Sequence, residues 1–353
     1  MNLTYPKILS VAKALPSFTR TTEDSLDHIK EWIKDQPERT QKKILRLFKY
    51  AEVDRRYSIM DIDEVFQATS FEEKNSLYMQ KSVELAEKAL KSALKKANLR
   101  PEDLDIIITT SCTGYMIPSL DAYLINRLHM RQDIMRLPVT EMGCAAGASA
   151  LIYGQNLLRH QPDKYAAVIA VESPTSNFQH EDFSMENVVS AAIFGDGCAC
   201  AILGPSSEVR PAIIDTDMFH FYDTINLLGY RLSNTGFKMV LSPQLPEAIA
   251  RQFQEVVNPF LDRNGIQLKD IKHFIFHPGG KKIVQAVEGI LHALGKHINE
   301  TREVLKDYGN ISSATVLYVL DKVFEDPHET GDLGLMLGFG PGFTAQRLLL
   351  RWE

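Results

Sequence analysis

The chain contains an internal repeat, and no other feature of the sequence restricts its possible folds as strongly. Residues 97–109 (ANLRPEDLDIIIT) resemble residues 264–276 (NGIQLKDIKHFIF), with Leu104 corresponding to Ile271, 167 positions later. Residues 143–148 (GCAAGA) align with residues 309–314 (GNISSA) at a separation of 166. Because the separation changes by only one residue, the pattern indicates two half-copies of one structure rather than a chance similarity.

The repeat places Cys144 and Asn310 at equivalent positions. A third pair of segments, residues 194–197 (FGDG) and 339–342 (FGPG), continues the alignment. We therefore predict two halves, residues 1–205 and residues 206–353. If the halves pack face to face, Cys144 and Asn310 come together.

Composition excludes several classes of protein. The 353 residues suggest about two domains, and 44% hydrophobic with 24% charged residues is ordinary globular usage. A net charge of −6 offers no reason to expect a nucleic-acid partner. We see no signal peptide and no apolar run near the ~18 residues of a membrane span. The four cysteines do not follow zinc-site spacing, so we expect a cytoplasmic protein without a metal.

Hydrophobic periodicity predicts alternating helices and strands, and hence an α/β protein. In the first half we predict helices at 77–97, 120–128 and 145–159, strands at 106–110, 135–138 and 165–171, and a strand pair at 191–203 around a turn. In the second half we predict helices at 246–264, 282–294 and 312–323 and strands at 274–277, 333–337 and 345–352. The first 70 residues read as helical and polar.

The first half is longer between its equivalent motifs. Cys144 and Phe194 are 50 positions apart, whereas Asn310 and Phe339 are 29 apart. The extra length falls near residues 172–189 (ESPTSNFQHEDFSMENVV). This polar and aromatic segment either lines a pocket or forms a surface loop, and the sequence favours neither.

Cys144 is the candidate nucleophile. It stands among small residues at the predicted start of a long apolar helix, where free N–H groups and the helix dipole favour a thiolate and lower the pKa. A lone cysteine is more often a buried structural residue. Here the position of Cys144 at a helix start and its alignment with Asn310 favour a nucleophile over a structural residue.

His277 and Asn310 are the candidate partners of that cysteine. His277 ends a predicted strand before residues 278–280 (PGG), and ligands of α/β proteins bind at such strand ends. An imidazole can pair with a thiolate and donate to an oxyanion, and Asn310 adds a neutral donor. Cys198 and Cys200 alternate along a predicted strand, which is typical of core residues. Cys112 lies in the loop after a strand, where it either lines a pocket or only packs against its neighbours.

The motifs together closely resemble the type III polyketide synthases, the chalcone synthase-like branch of the thiolase superfamily. The motifs are residues 143–147 (GCAAG), 194–197 (FGDG), 277–280 (HPGG), 308–313 (YGNISS) and 338–342 (GFGPG). The resemblance implies a thiolase-like five-layered αβαβα fold in each subunit of a homodimer. It also implies coenzyme A thioesters as substrates and no metal or redox cofactor.

The resemblance assigns roles to the three candidate residues. Cys144 would accept a starter acyl group from acyl-CoA and hold the growing chain. His277 and Asn310 would bind the thioester oxygen and stabilise the enolate formed when malonyl-CoA loses CO2. The chain would then cyclise to a small aromatic or pyrone polyketide.

The resemblance also implies positions that contact substrate or the partner subunit. They are Phe194 and Phe237 as gate residues, Gly279 and Gly280 at the pantetheine arm, Arg55 and Arg56 at the CoA phosphates, Ser312 beside the catalytic asparagine, and Cys112 and Asn177 in the cavity. Cys112 and Asn177 stand where plant enzymes carry hydroxyl residues, and residues 111–114 (SCTG) resemble bacterial members. The loop near Ile117 and Pro118 would reach the partner's cavity.

Three alternative functions would require residues or a role that differ from those of this chain. A ketoacyl-ACP synthase III shares the cysteine, histidine and asparagine, but would carry His-Gln-Ala-Asn where this chain has residues 277–280 (HPGG). A thiolase would need a second cysteine in residues 338–342. A scaffold subunit would have no need of the three chemical residues.

Overall fold

The structure is a computed structural model that describes residues 5–67 and 69–353. In these ranges the strands are β1 (Lys7–Ala14), β2 (Phe18–Thr21), β3 (Arg55–Ser58), β4 (Ile106–Ser111), β5 (Met135–Thr140), β6 (Ala166–Glu172), β7 (Gly197–Gly204), β8 (Pro211–His220), β9 (Leu228–Ser233), β10 (Gly236–Leu241), β11 (His273–Phe276), β12 (Leu333–Gly340) and β13 (Thr344–Trp352). The helices are α1 (Thr22–Trp32), α2 (Glu38–Lys49), α3 (Ile62–Val65), α4 (Phe71–Lys96), α5 (Leu120–Leu128), α6 (Ala146–Leu158), α7 (Met185–Ile193), α8 (Leu245–Asp262), α9 (Lys281–His292), α10 (Asn299–Tyr308) and α11 (Thr315–Val323). The α/β class is confirmed, and no helix in the described ranges has the length and apolar character to cross a membrane.

Nine strands form one mixed sheet that repeats a strand order. The order is β5-β4-β6-β7-β1-β8-β13-β12-β11, so β1-β7-β6-β4 of the first half reappears as β8-β13-β12-β11. Strand directions repeat as well, with two antiparallel pairs followed by a parallel pair in each half. The single pair Lys7–Ala212 joins β1 to β8. The predicted division after residue 205 falls between β7 and β8 and stays a prediction.

Alternating side chains of the sheet enter two separate cores. Along β6, Val168 and Ala170 belong to the cluster around α6 and α11, whereas Ala167 and Ile169 belong to the cluster that includes α4. This period of two is the geometry of a strand buried on both faces. Helices α6 and α11 therefore form the inner layer, and α4, α8 and α9 cover the outer faces, in agreement with the predicted five layers.

Two predicted elements were wrong. The first 70 residues are not only helical, because β1 lies in the middle of the large sheet. Its polar Ser10 is buried by donating a hydrogen bond to the Ala93 carbonyl at 2.7 Å, a contact that the local sequence does not reveal. Residues 191–203 do not form a strand pair either, since α7 ends at Ile193 and only β7 follows. The residue after α7, Phe194, forms a bridge with Asn310 instead of a hairpin.

The extra segment of the first half is buried. Residues 172–177 are all buried, with a 3-10 turn at Pro174–Asn177, and α7 completes the segment. Ser184 caps α7 by accepting a hydrogen bond from the Asn187 backbone. Because this segment lines a cavity, pocket lining is the correct choice between the two alternatives.

Candidate active site

Cys144 lies where the two halves meet. The 3-10 turn Gly143–Ala145 leads directly into α6. One turn further, a Cβ atom on Gly147 would lie 2.1 Å from the carbonyl oxygen of Ser313. Small residues at this start therefore allow α6 to approach the 3-10 turn Ser312–Ala314 of the second half.

Backbone hydrogen bonds hold Asn310 against the first half. The Asn310 N–H donates to the Ile193 carbonyl at 2.8 Å, and the Gly195 N–H donates to the Asn310 carbonyl at 3.1 Å. Gly309 has φ +72, and a Cβ there would lie 2.6 Å from the Ile193 oxygen. Only glycine fits this approach, so the residue preceding Asn310 is part of the geometry of the site.

The structure brings Cys144, His277 and Asn310 together around one cavity. They come from the start of α6, the loop after β11 and the residue before the second 3-10 turn. Apart from Gly279, the remaining walls are apolar: Ile193, Phe194, Leu228, Met239, Leu241, Leu245, Ile249, Ile283, Phe339 and Phe343. A cavity with apolar walls and few convergent polar groups is typical of a site that binds small molecules.

His277 presents two free ring nitrogens. Its side chain is 5% exposed, and neither Nδ1 nor Nε2 has a hydrogen-bond partner within the described residues. Burial lowers the pKa of His277 to about 4, so the ring is neutral at pH 7. A neutral imidazole offers one donor and one acceptor, and leaving both unpaired in the interior is costly. The ring is therefore available to a molecule in the cavity.

Asn310 is oriented as a hydrogen-bond donor. Its Oδ1 accepts from the Ser312 N–H at 2.8 Å and from the Thr315 hydroxyl at 3.3 Å. Because a backbone N–H only donates, the atom facing Ser312 must be the amide oxygen. The amide NH₂ consequently points the other way, towards the Gly279 carbonyl at 3.4 Å and the cavity.

The thiol of Cys144 does not have the lowered pKa that the sequence predicted. Burial raises its pKa to about 12, the charge of Glu172 acts in the same direction, and the hydrogen bond from Sγ to Ser312 Oγ at 3.6 Å only partly opposes them. The helix start favours the thiolate, but the cost of removing it from water is larger. The resting site therefore holds a thiol beside a neutral His277 rather than an ion pair.

Ser312 lies between two cysteines. Its Oγ is 3.6 Å from Cys144 Sγ and 3.4 Å from Cys112 Sγ. Its backbone has φ +46, a left-handed conformation that non-glycine residues rarely adopt and that is concentrated at functional sites. Cys112 therefore contacts the same serine as Cys144, but it lines neither of the two cavities next to Phe194, and its place in a cavity stays a prediction.

Glu172 was not identified from the sequence. This fully buried carboxylate accepts hydrogen bonds from the Cys112 N–H at 3.1 Å, the Thr113 hydroxyl at 2.7 Å and the Ser313 hydroxyl. Burial raises the pKa of Glu172 although these hydrogen bonds oppose the shift. A glutamate that ends the otherwise apolar β6 was the available signal, because buried acids require partners.

A second cavity adjoins the first at Phe194 and Met239, which line both. Phe237 and Asn177 line only this second cavity. The Phe237 ring packs edge-on against Phe71 and Tyr230, with centroids 5.7 and 6.0 Å away. The Asn177 amide donates to the Thr113 carbonyl at 2.9 Å.

Arg55 and Arg56, the predicted phosphate contacts, have different environments, and so do Gly279 and Gly280. Arg55 is exposed, but the neighbouring Arg56 is 1% exposed, since alternate residues of a strand face opposite sides. The prediction that Arg56 meets a CoA phosphate at the surface is therefore wrong. Gly279 lines the first cavity, and Gly280, with φ +147, precedes α9.

Among the described residues, one group of metal-ligand side chains lies together: His273, His328 and Asp332. It stands at the start of β11, the end opposite the first cavity. Lys272 Nζ is 2.8 Å from the Asp332 carboxylate, and His328 Nε2 lies 2.9 Å from the Val323 carbonyl. These contacts account for the cluster as an ion-paired and hydrogen-bonded structural unit.

Models of two protein families match the chain. Residues 61–213 match a model described as FAE1/Type III polyketide synthase-like protein. Residues 218–352 match the C-terminal domain of chalcone and stilbene synthases.

Individual relatives are similar over almost the whole chain. A 1,3,6,8-tetrahydroxynaphthalene synthase of Streptomyces peucetius subsp. caesius is 35% identical over 316 residues, which cover 87% of this chain and 83% of that protein. A phloroglucinol synthase of Pseudomonas fluorescens is 29% identical over 343 residues, 96% of each chain. The crystal structure of 1,3,6,8-tetrahydroxynaphthalene synthase from Streptomyces coelicolor superposes with a TM-score of 0.93 at 28% identity, covering 98% of this chain and 99% of that chain.

Proposed function

Because the chain belongs to the type III polyketide synthases, a family of decarboxylating acyltransferases, we propose that Cys144, His277 and Asn310 perform its condensation chemistry. One observation carries the proposal. The three side chains line one cavity, in which His277 has both ring nitrogens free and Asn310 turns its amide NH₂ inward. A nucleophile, a base and an oxyanion donor are the groups that acyl transfer requires.

Loading begins at the Cys144 thiol. With its pKa raised to about 12 by burial, the sulfur needs a base, and neutral His277 accepts its proton as it attacks the acyl-CoA carbonyl. The new carbon–sulfur bond forms, the bond to the coenzyme A sulfur breaks, and coenzyme A leaves with that proton. The oxygen of the tetrahedral intermediate accepts a hydrogen bond from the Asn310 NH₂.

Extension uses the same donors. The thioester oxygen of malonyl-CoA accepts from Asn310 and from the protonated nitrogen of His277, the bond to the carboxylate breaks, and CO2 leaves. The electron pair remains as an enolate, whose carbon attacks the acyl–Cys144 carbonyl. The bond to the cysteine sulfur then breaks, and the chain, two carbons longer, is attached to coenzyme A. This cycle uses only coenzyme A thioesters and needs no metal or redox cofactor.

The second cavity sets the chain length. Asn177, Phe194 and Phe237 line the space beyond the catalytic cavity, and Cys112 contacts Ser312 beside Cys144. Pockets of this kind discriminate by volume, about 1–3 kcal/mol for one methylene. Small aromatic products fit the two relatives named as phloroglucinol and tetrahydroxynaphthalene synthases. We expect Phe237→Gly or Cys112→Phe to change the number of extensions. An unchanged product spectrum in both variants places the selecting cavity elsewhere.

A homodimer is the proposed assembly. Ile117, in the loop between β4 and α5, is 73% exposed, and Tyr115 in the same loop is 61% exposed. The adjacent β5 is an edge strand with the exposed Met135. Exposed apolar side chains beside an unpaired strand edge mark an interaction surface. Light scattering should give twice the chain mass, and Ile117→Asp should shift the protein towards monomer.

The test of the function combines product formation with detection of the acyl enzyme. Purified protein is incubated with malonyl-CoA alone, with a panel of acyl-CoA starters, and with malonyl-ACP in place of malonyl-CoA. We expect polyketides from malonyl-CoA and an acyl mass increment on the Cys144 peptide, both lost in Cys144→Ala. Cys198→Ala is the matched control, because Cys198 is buried in β7 outside the cavity.

Two outcomes would contradict the proposal. Acylation of another cysteine, with Cys144→Ala still active, removes Cys144 from its role. Extension that proceeds with malonyl-ACP and fails with malonyl-CoA favours the ketoacyl-ACP synthase alternative.

A further inference from the structure

Two arginines stand directly opposite each other in a region that the proposed chemistry does not use. Arg20 of β2 pairs with Arg56 of β3 in an antiparallel ribbon, so both side chains project from the same face. Both line the second cavity, which adjoins the catalytic one at Phe194 and Met239. Like charges directly opposite each other destabilise a pair of strands. Natural proteins keep such unfavourable pairs mainly at functional sites.

Among the described residues, no acidic side chain lines this cavity to compensate the two charges. Asp196, whose charge acts on Arg20, accepts hydrogen bonds from the Ile59 N–H at 2.9 Å and the Thr175 N–H at 3.0 Å. It forms no ion pair with either arginine in the described structure. Burial and the neighbouring Arg20 lower the pKa of Arg56 to about 9, which leaves it charged at pH 7. The two arginines therefore have no carboxylate inside the cavity, and the charge of Asp196 outside it offsets only part of the charge of Arg20.

The two guanidinium groups retain free donors. Arg56 donates from Nη1 to the Ala191 carbonyl at 3.1 Å and from Nη2 to the Thr22 hydroxyl at 2.8 Å, while its buried Nε has no partner. The side chain of Arg20 makes no hydrogen bond or ion pair within residues 5–67 and 69–353. A planar carboxylate matches such forked donors and would neutralise the excess charge.

The arginine pair lies beyond the gate residues as seen from Cys144. Phe194 and Met239 line both cavities, and Phe237 lines the one with the arginines. An acyl chain held on Cys144 that passes Phe194 would extend into this second cavity. Its far end would then meet Arg20 and Arg56.

We propose that Arg20 and Arg56 form a subsite for a carboxylate at the far end of the Cys144-bound acyl chain. The substrate class is an acyl-CoA starter with a terminal carboxylate, such as glutaryl-CoA. The proposal rests on the proposed function, because it requires the chain to be carried on Cys144.

Two starters of equal length test the subsite, glutaryl-CoA with a terminal carboxylate and valeryl-CoA without one. We expect kcat/KM for condensation with malonyl-CoA to favour glutaryl-CoA by about 10- to 100-fold, the range of charge-assisted hydrogen bonds. Arg20→Met should bring this ratio close to one, and Arg20→Lys should leave an intermediate ratio. Because both starters are measured in the same variant, a general loss of activity does not change the ratio.

Arg231→Met is the matched control. Arg231 lies on β9 next to the cavity-lining Tyr230, but its own side chain is exposed, so this variant loses the same charge outside the cavity. It should keep the preference for glutaryl-CoA. If Arg20→Met does not fold, as judged by its thermal melt, Arg20→Lys and the unmodified protein still provide the comparison.

Four results separate the possibilities. A ratio at or below one in the unmodified protein, or a ratio unchanged in Arg20→Met, overturns the subsite. A changed number of extensions on valeryl-CoA with an unchanged starter ratio assigns the arginines to enolate oxygens of the growing chain, which also overturns the proposal. Failure of the unmodified protein to acylate Cys144 with any starter contradicts the proposed function itself.

Discussion

The two halves of the molecule share a backbone plan but not a chemistry. The order β1-β7-β6-β4 is repeated by β8-β13-β12-β11, and in each half a 3-10 turn leads into an inner helix. Cys144 occupies this turn in the first half, and Asn310 stands at the equivalent position in the second. Gly147 contacts Ser313, its own equivalent residue, so the halves meet at their corresponding positions. Duplication thus supplied two facing positions that could take different roles.

The difference between the two positions lies in how each side chain is bound. Cys144 has one weak hydrogen bond to Ser312 Oγ, and burial raises its pKa. Asn310 has its amide oxygen fixed by Ser312 and Thr315, which leaves the NH₂ directed at the cavity. A nucleophile benefits from few contacts, whereas an oxyanion donor benefits from a fixed orientation. His277 has no counterpart of equal chemistry in the first half, where Cys112 follows β4.

The largest effect is expected from removal of the donor in the second half. Asn310→Ala should lower the rate of malonyl-CoA decarboxylation about 10²- to 10³-fold, while Cys144 still accepts an acyl group. Release of CO2 and the mass of the acyl enzyme measure the two steps separately. Thr315→Val removes a hydroxyl that contacts Asn310 Oδ1, the Ile311 N–H and the Ser312 carbonyl but leaves the Asn310 NH₂ in place, so it should have a smaller effect. A normal decarboxylation rate in Asn310→Ala would show that Asn310 is not the oxyanion donor, and the proposed difference in role between Asn310 and Cys144 would be wrong.

Acid should destabilise the protein through His277. Its folded pKa of about 4 lies below the ordinary value of 6.5, so between these values the unfolded chain binds a proton that the folded protein excludes. The stabilising contribution is complete above pH 6.5 and is lost as the pH falls towards 4, about 3 kcal/mol in total. Urea unfolding of the protein and of His277→Gln at pH 7 and pH 4 should show this difference, with the exposed His160→Gln as control.

An equal pH response in the protein and in His277→Gln would show that the ring is already charged or already paired. The comparison would then change, because the first cavity would contain an ion pair rather than two neutral groups.

Alkylation of Cys144 should follow its raised pKa. With the pKa near 12, the thiolate fraction and the rate of reaction with iodoacetamide increase about tenfold for each pH unit between 7 and 9. Mass spectrometry of the Cys144 peptide measures the rate. A rate that is already constant above pH 7 would mean that the helix start and His277 stabilise the thiolate more than burial opposes it.

A methyl group at the contact between the halves should have the smallest effect. Gly147→Ala places Cβ against the Ser313 carbonyl, and we expect a loss of about 1–3 kcal/mol in the free energy of unfolding. Gly289→Ala is the matched control, since this exposed glycine of α9 has nothing within 4 Å of a Cβ. The control should gain about 0.5–1 kcal/mol in helix stability. Equal melting curves would show that the halves do not pack tightly at Gly147.

Much of the secondary structure and the internal repeat could be predicted, because both depend on local sequence patterns. Apolar runs and helical spacing located most elements to within a few residues, and the repeat indicated that Cys144 and Asn310 would meet. The strand β1 was missed, because its Ser10 and its two lysines hide a central strand. Glu172 and Arg20 were not identified from the sequence, and Arg56 was placed at the surface, because the burial of each depends on long-range contacts. Their neighbours come from distant parts of the chain, and a sequence window does not contain them.

The sequence by itself determined the repeat, the elements around the repeated motifs and the three residues of the candidate active site. Periodicity, glycine positions and motif spacing are encoded locally, so they can be read one segment at a time. The tertiary structure alone decided the protonation states of Cys144 and His277 and the inward direction of Arg56. Desolvation depends on every group that surrounds a side chain, and it outweighed the local preference of a helix start for a thiolate.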